Sequence, residues 1–309
     1  MTKSEMLKKH WGQFMLLLSQ IKLNLTYLVK RATIWTSSTI ALFQILGFLC
    51  EFNDIFPDTW TFLTRLLVSI ISVTIIWFAT FLINIYLVFK NQRVSVIDAE
   101  NGHCVYVEYG DLFEDSVEKR NVVVTVNRCF DTLVDNDLIS ETTIHGMAIN
   151  KLCKDGYTAE MLNDALQLDL SQNRQSIPCC TLSVKDKRKG NLQRYPEGTV
   201  AEFRKTPTDG TTYFFVGMSA FNSQLHPETS DKEYVDTFQS LIEYCNLRSQ
   251  RLPIYMPIIG THGRDNKKTE RELLEYMISS LRFHKHLINT DIHIVVYYKR
   301  RHEVSIYGL

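Results

Sequence analysis

The sequence predicts an α/β domain with helices on both faces of its sheet, preceded by a hairpin of two membrane-spanning helices. Three observations predict it. Leu66–Phe89, "LLVSIISVTIIWFATFLINIYLVF", runs 24 residues without a charge. At about 1.5 Å rise per residue it more than crosses a hydrocarbon core of roughly 30 Å. Thr33–Cys50 is a second uncharged run, of 18 residues, close to the lower limit for a span. After Lys90, short β-branched runs alternate with amphipathic stretches, the pattern of a sheet held between helices.

A buried core helix satisfies the same composition, but two such runs paired across a short gap favour a hairpin. Lys30 and Arg31 precede the first run and Lys90 and Arg93 follow the second, while the connecting loop carries Glu51, Asp54 and Asp58. Positive flanks stay inside, so both termini are expected in the cytoplasm. The apolar run begins too late for a cleaved leader. The expected organisation is therefore a juxtamembrane segment over 1–32, a hairpin over 33–90 with spans 33–50 and 66–89, and a cytosolic domain over 91–309. Residues 1–30 combine Lys3, Lys8, Lys9 and Lys22 with apolar side chains, as in an amphipathic helix at a membrane face or against a partner. The 34 basic and 34 acidic residues balance, which excludes the basic face that a nucleic-acid partner requires. Seven cysteines, an odd number without Cys-x-x-Cys or Cys/His metal spacing, read as reduced thiols, and no metal is expected.

Within the domain, "RVSVID" (93–98) and "HCVYVEYGDL" (103–112) alternate as paired strands around Asn101-Gly102. "NVVVTVN" (121–127) is a strand covered on both faces. Helices are expected over Thr143–Lys154 and Thr158–Asp169, the latter behind a threonine cap. Residues 171–191, with the basic cluster "KDKRKG", read as an exposed connection. Strands follow at 198–204 and 212–221, a helix at 231–247, a strand at 252–260, a helix at 269–287 and a closing strand at 291–298.

Ligands of open α/β sheets bind beyond the carboxyl ends of the strands, and three such ends carry polar residues. Gly110-Asp111-Leu112 places a carboxylate where it can accept from an amino group, or form an ordinary turn. Asn127, leaving its apolar strand, both donates and accepts, and "RCFDT" with Phe130, Asp131 and Thr132 follows it. His145-Gly146 stands at a helix start, which favours anions and opposes a protonated imidazole; a structural histidine fits there equally. The third end is "PIIGTHGR": Gly260 and Gly263 let backbone approach a phosphate, Thr261 donates a hydroxyl and Arg264 pairs with phosphate oxygens.

The order of a Gly-Asp strand end, an apolar strand ending in Asn, "YPEGTV" and "PIIGTHG" over about 92–300 resembles that of macro domains, which bind ADP-ribose. The resemblance implies a macro-domain-like three-layer α/β/α mixed sheet behind the two-helix transmembrane hairpin. It implies that Asp111 meets adenine, with Leu112 beside it, and that Asn127 faces the distal ribose. Gly260, Thr261, His262, Gly263 and Arg264 would wrap the diphosphate, and the strand end at Ser219 and Phe221 would border the ligand. The usual glycine triplet after the asparagine is missing; "RCFDTLVDNDLISETTIHG" stands there, which argues against hydrolysis and for something bulkier than a bare ribose. Hairpin, divergent domain and "FDT…HG" together resemble the transmembrane–macro effectors of type II Thoeris antiphage defence. That resemblance implies a two-pass protein of the bacterial inner membrane that senses a histidine-conjugated ADP-ribose made by a partner TIR enzyme, without a cofactor or catalytic residues. Such a protein would form homo-oligomers and disrupt the lipid bilayer. Asp131 would then meet the amino group of the conjugated histidine. A membrane-tethered ADP-ribosyl hydrolase and a purely structural scaffold are the alternatives.

Overall fold

The computed structural model describes residues 3–49, 60–116, 118–172, 177–205, 210–261 and 268–309. The chain forms two units, Met1–Gln92 with Arg301–Gly308, and Arg93–Arg300 with Leu309.

The first unit is helical: α1 (Lys3–Leu23), α2 (Leu25–Leu49) and α3 (Phe62–Lys90). The Asn24 side chain donates back to the Gln20 carbonyl at 2.8 Å where α1 gives way to α2. Thr61 caps α3, its hydroxyl accepting from the Thr64 amide. Among the described residues α3 is the helix long and apolar enough to cross a membrane. The 33–50 run falls within α2, its last residue lying outside the described ones. Apolar side chains such as Phe62, Ile75 and Phe78 project outward from α3. A polar seam joins α2 and α3: the hydroxyls of Thr36 and Thr80 lie 3.1 Å apart, and Trp77 donates to Thr33 at 3.2 Å.

Residues 301–308, which follow the expected closing strand, form a strap on these helices. Gln20 donates to the Arg301 carbonyl, and Ser305 donates to the Asn24 side chain. The Tyr307 hydroxyl lies 3.0 Å from the Val88 carbonyl oxygen and 2.8 Å from that of Asn91, capping backbone at the end of α3. Burial of Val304, Ile306 and Tyr307 explains the placement, since an apolar tail segment must find a covered face.

The second unit is an eight-stranded mixed sheet among the described residues. In chain order it contains β1 (Arg93–Asp98), β2 (Cys104–Gly110), β3 (Arg120–Asn127), α4 (Ile144–Lys154), α5 (Ala159–Gln172), β4 (Cys180–Thr181), β5 (Gln193–Arg194), β6 (Val200–Arg204), β7 (Thr211–Phe221), β8 (Pro227–Glu228), α6 (Asp231–Arg248), β9 (Ile254–Pro257), α7 (Glu270–Phe283) and β10 (Ile292–Tyr297). The main strand order is β1-β2-β10-β9-β3-β7-β6, with β8 on the end of β7, and β4 and β5 form a separate two-stranded ribbon. From β2 to β7 neighbours run parallel, while β1 and β6 close the edges antiparallel. β3 is central, and Val122, Val123, Val124 and Val126 are all buried, as strands covered on both faces require.

One face packs Val122, Val124 and Phe215 against Ala148, Ile149 and Leu152 of α4 and Leu162, Leu166 and Leu170 of α5. The four-residue spacing of the α5 leucines puts them on one stripe of the helix. The opposite face turns Phe214 toward α6, where it meets Tyr244 edge-on at 5.3 Å. Capping boxes at Ser230/Glu233 and Thr269/Glu272 start α6 and α7. The expected strand at 252–260 ends at Pro257, because Ile258–Gly260 turn away into the loop beyond the sheet.

One expectation is corrected. Residues 171–191 are not simply an exposed connection: α5 runs on to Gln172, and the ribbon of β4 and β5 brackets Lys187, whose side chain is completely buried. Its carboxylate partner, Asp131, comes from the turn after β3.

Candidate functional site

Parallel strands bring β2, β3, β7, β9 and β10 to the same carboxyl edge, so the polar strand ends converge there. The β3–β7 ladder slips its register where Val126 gives way to Asn127, setting Asn127 opposite Ser219. The Asn127 side-chain oxygen accepts from the Cys129 amide at 2.9 Å, which closes the turn. Its amide nitrogen is buried and makes no well-formed hydrogen bond, interacting instead with the nearby Asp131 carboxylate, whose charge it helps hold. A buried donor so poorly satisfied gains from a better acceptor.

That nitrogen belongs to a residue lining a cavity of about 220 Å³, together with His145, Ser219, Phe221, Gly260 and Thr261. The remaining wall comes from the excursion between β3 and α4. Leu138 and Ile139 cluster with Phe221 and Leu225, and Asn136, Asp137, Ser140 and Thr143 supply polar groups. Thr143 caps α4 through the Gly146 amide at 3.1 Å, so the positive end of that helix opens on the cavity. A side chain at Gly146 would collide with the Ser140 carbonyl, its Cβ falling 2.2 Å from that oxygen. Glycine therefore lets the excursion lie directly on the helix start.

His145 donates from Nε2 to the Asp131 carbonyl at 2.8 Å; a carbonyl only accepts, so this nitrogen carries the proton. Burial pushes its pKa down to about 4, the backbone bond opposing only in part, and the imidazole is neutral near pH 7. The Asp131 carboxylate pairs with Lys187 at 2.8 Å and accepts from the Asn191 amide at 2.6 Å. Burial raises its pKa against the pull of Lys187.

A second cavity, of about 320 Å³, is lined by Asp111, Leu112, Phe113, Tyr297, Glu270 and Arg300. Ile144, Ile258 and Thr261 line both cavities, so the two form one cleft along the sheet edge. Asp111 accepts from the Phe113 amide at 3.0 Å in a tight turn, and Arg300 pairs with Glu270 at 2.9 Å.

Of the residues singled out by sequence, Asp111, Leu112, Asn127, His145, Ser219, Phe221, Gly260 and Thr261 line this cleft. Gly260 adopts φ +87°, the left-handed conformation that a glycine supplies at that turn. His262, Gly263 and Arg264 lie outside the described residues. Phe130, Asp131, Thr132 and Gly146 stand behind the wall. Phe130 is wholly buried at φ +52°, with its ring against Gly217 and edge-on to Tyr195, because the turn folds it into the core. Thr132 donates to the Ala159 carbonyl at 2.7 Å. The Asp131 carboxylate, expected to meet an amino group of the ligand, is instead spent on Lys187 and Asn191. Sequence reasoning passed over Asn136, Asp137, Leu138 and Ile139. The signal for them was the "VDND" turn cluster in a long polar excursion after a buried strand. Among the described residues no group of His, Cys, Asp or Glu is arranged to hold a metal.

A mixed sheet flanked by helices, with a two-chambered cleft at its carboxyl edge, defines an α/β domain with one candidate ligand site. The chain belongs to the Thoeris protein ThsA macro-domain family, whose model matches residues 105–297. It is 23% identical over 218 residues to the Thoeris protein ThsA of Bacillus amyloliquefaciens (strain Y2), covering 68% of this chain and 67% of that protein. Two solved structures of the Oceanobacillus iheyensis macrodomain, each carrying one alanine substitution, align at 12% identity with TM-scores of 0.42 and 0.43. They cover 71% and 70% of this chain and 92% and 93% of theirs.

Proposed function

We propose that the protein is a membrane-anchored sensor of bacterial antiphage defence whose sheet unit binds an ADP-ribose-type nucleotide in the cleft. Membership in the Thoeris ThsA macro-domain family supports the defence context and the ligand class. The observation that carries the binding reading is a cleft lined from Asp111 to His145 in which the buried amide nitrogen of Asn127 is only partly satisfied, by the Asp131 carboxylate behind it. In this reading the adenine end lies by Asp111, the diphosphate lies at Gly260–Thr261 and the neighbouring residues His262, Gly263 and Arg264, and the terminal ribose reaches Asn127. The chamber beyond it, walled by residues 136–145, takes a group conjugated to that ribose, a histidine supplied by a partner TIR enzyme. The neutral His145 presents no charge to it.

Binding then favours an oligomer of the chain, and the helical unit, with α3 and α2 as a two-pass hairpin and both termini in the cytoplasm, disturbs the inner membrane. The ligand shifts that assembly only by the difference between its affinities for the two states. Hydrolysis is disfavoured because Asp131, the one buried carboxylate beside the chamber among the described residues, is already engaged by Lys187 and Asn191. Isothermal titration of the detergent-purified protein with ADP-ribose and with its histidine conjugate tests the reading. Micromolar or tighter binding of either is expected, and no heat from both would end it.

A further inference from the structure

The cleft is backed by a buried ion pair that no part of the binding reading uses. Lys187 has no exposed surface, and its Nζ donates to Asp131 Oδ2 at 2.8 Å and to the Asn191 carbonyl at 2.7 Å. It also stands 6.0 Å from the centre of the Phe221 ring, which lines the first cavity. Asn191 adds its own contacts to the turn after β3. Its side-chain amide donates to the carbonyls of Cys129 and Phe130, both at 3.2 Å, and to the Asn163 side chain at 2.8 Å. The Asp131 carbonyl in turn accepts from His145. One cationic group is therefore bound to the turn that begins at Asn127, to the carboxylate next to His145's anchor, and to an aromatic wall of the cavity.

Apolar side chains of similar volume would avoid the desolvation that a buried pair incurs, so stability alone is a weak reason to place one here. What the pair supplies is a fixed geometry, because an ammonium with two acceptors and a carboxylate with two donors admit few arrangements. We propose that Lys187, assisted by Asn191, is a positioning residue for the ligand cleft: through Asp131 it sets the Asn127–Thr132 turn and the His145 ring in the geometry that the nucleotide meets. Lys187 itself does not touch the ligand. This inference rests on the binding reading above.

Gly190 offers a separate handle. At φ +80° it passes so close to Asp131 that a Cβ there would fall 2.2 Å from Oδ1, and a methyl would push the carboxylate without removing either charge.

The test uses the full-length protein in detergent, titrated with ADP-ribose and its histidine conjugate, with the unfolding midpoint measured in parallel. Lys187→Met strands the Asp131 carboxylate and is expected to lower the midpoint sharply. Lys187→Met/Asp131→Asn removes both charges yet keeps an acceptor for the Asn191 amide, and is expected to unfold near the wild-type midpoint. It should bind at least tenfold more weakly. Its His145 imidazole nitrogen signals, assigned by their loss in His145→Gln, should no longer report a single Nε2-protonated tautomer. Gly190→Ala strains a left-handed residue and is expected to lower the midpoint while weakening binding several-fold at temperatures where it stays folded, and it decides the matter should the double variant fail to fold. Wild-type affinity in a folded double variant, or in Gly190→Ala, would overturn the proposal. A wild-type protein that binds neither nucleotide would instead remove the binding reading and this inference with it.

Discussion

His145 and Asp131 are joined through main chain rather than through charge: the imidazole Nε2–H donates to the Asp131 carbonyl at 2.8 Å, while the Asp131 carboxylate turns away to Lys187. The arrangement keeps a neutral ring beside the cavity and a charged pair behind it. It also ties the pH response of the fold to the wall of the cleft.

Because the folded pKa of His145 is held down to about 4 against an ordinary 6.5, the unfolded chain takes up this proton first as pH falls. The stability is fully present above pH 6.5 and is lost progressively toward pH 4, by up to about 3 kcal/mol. Urea unfolding of wild type and His145→Gln from pH 7.5 to 4.5 checks this. The wild-type curve should fall more steeply, and parallel curves would count against a buried neutral imidazole.

Asn127→Asp keeps the oxygen that accepts from Cys129 but replaces the amide donor by a second buried carboxyl group beside Asp131. ADP-ribose affinity is expected to drop at least tenfold, about 1.4 kcal/mol or more, and the unfolding midpoint to fall as well. Titration calorimetry alongside a melting curve separates the two effects.

Gly146→Ala drives a methyl into the backbone carbonyl of Ser140, which cannot move aside as a flexible side chain would. The expected cost is about 3 kcal/mol, at the upper end for overpacking. Denaturant titration measures it, and a change under about 0.5 kcal/mol would mean the 136–145 wall yields easily.

Ile75 lies exposed in the middle of α3. On a water-soluble helix Ile75→Arg would be harmless, whereas at the centre of a bilayer it costs about 2.5–3.5 kcal/mol by insertion scales. Carbonate extraction of membranes should show wild type retained and Ile75→Arg partly released; equal retention would argue against α3 as a span.

Tyr307→Phe deletes the hydroxyl that sits against the Val88 and Asn91 carbonyls. The two carbonyls that share its single proton lose that donor, an effect of about 1–2 kcal/mol on the strap. Amide exchange across residues 301–308 should accelerate in the variant while the β3 amides remain unchanged.

Much of the sheet was legible because its signals are local. "NVVVTVN" is β-branched throughout, as a strand covered on both faces must be, and Asn101-Gly102 marks the β1–β2 turn, with Gly102 at φ +86°. That Asp111, Asn127 and Gly260 meet at one edge could be read because the carboxyl ends of parallel strands follow from topology. Lys187 could not. It sits among Lys185, Arg188 and Lys189, and what distinguishes it is a partner 56 residues earlier in the chain. Phe130 and Asp131 fall behind the cleft wall for a related reason. Proximity to Asn127 in sequence suggested the cleft, but the left-handed turn at Phe130 sends that ring to the core and the next carboxylate to the lysine. The strap was hidden because its partners, the Gln20 and Asn24 side chains and the Val88 and Asn91 carbonyl oxygens, lie more than 200 residues earlier in the chain.

The strap decides which unit the end of the chain serves. Chain leaves α3 at Lys90, enters the sheet at Arg93, and after Arg300 returns to the helical unit, where Tyr307 is fastened beside Val88 and Asn91. In sequence the sheet unit is thus an insertion within the helical one, and a truncation before Arg301 removes part of the helical unit rather than a tail of the sheet.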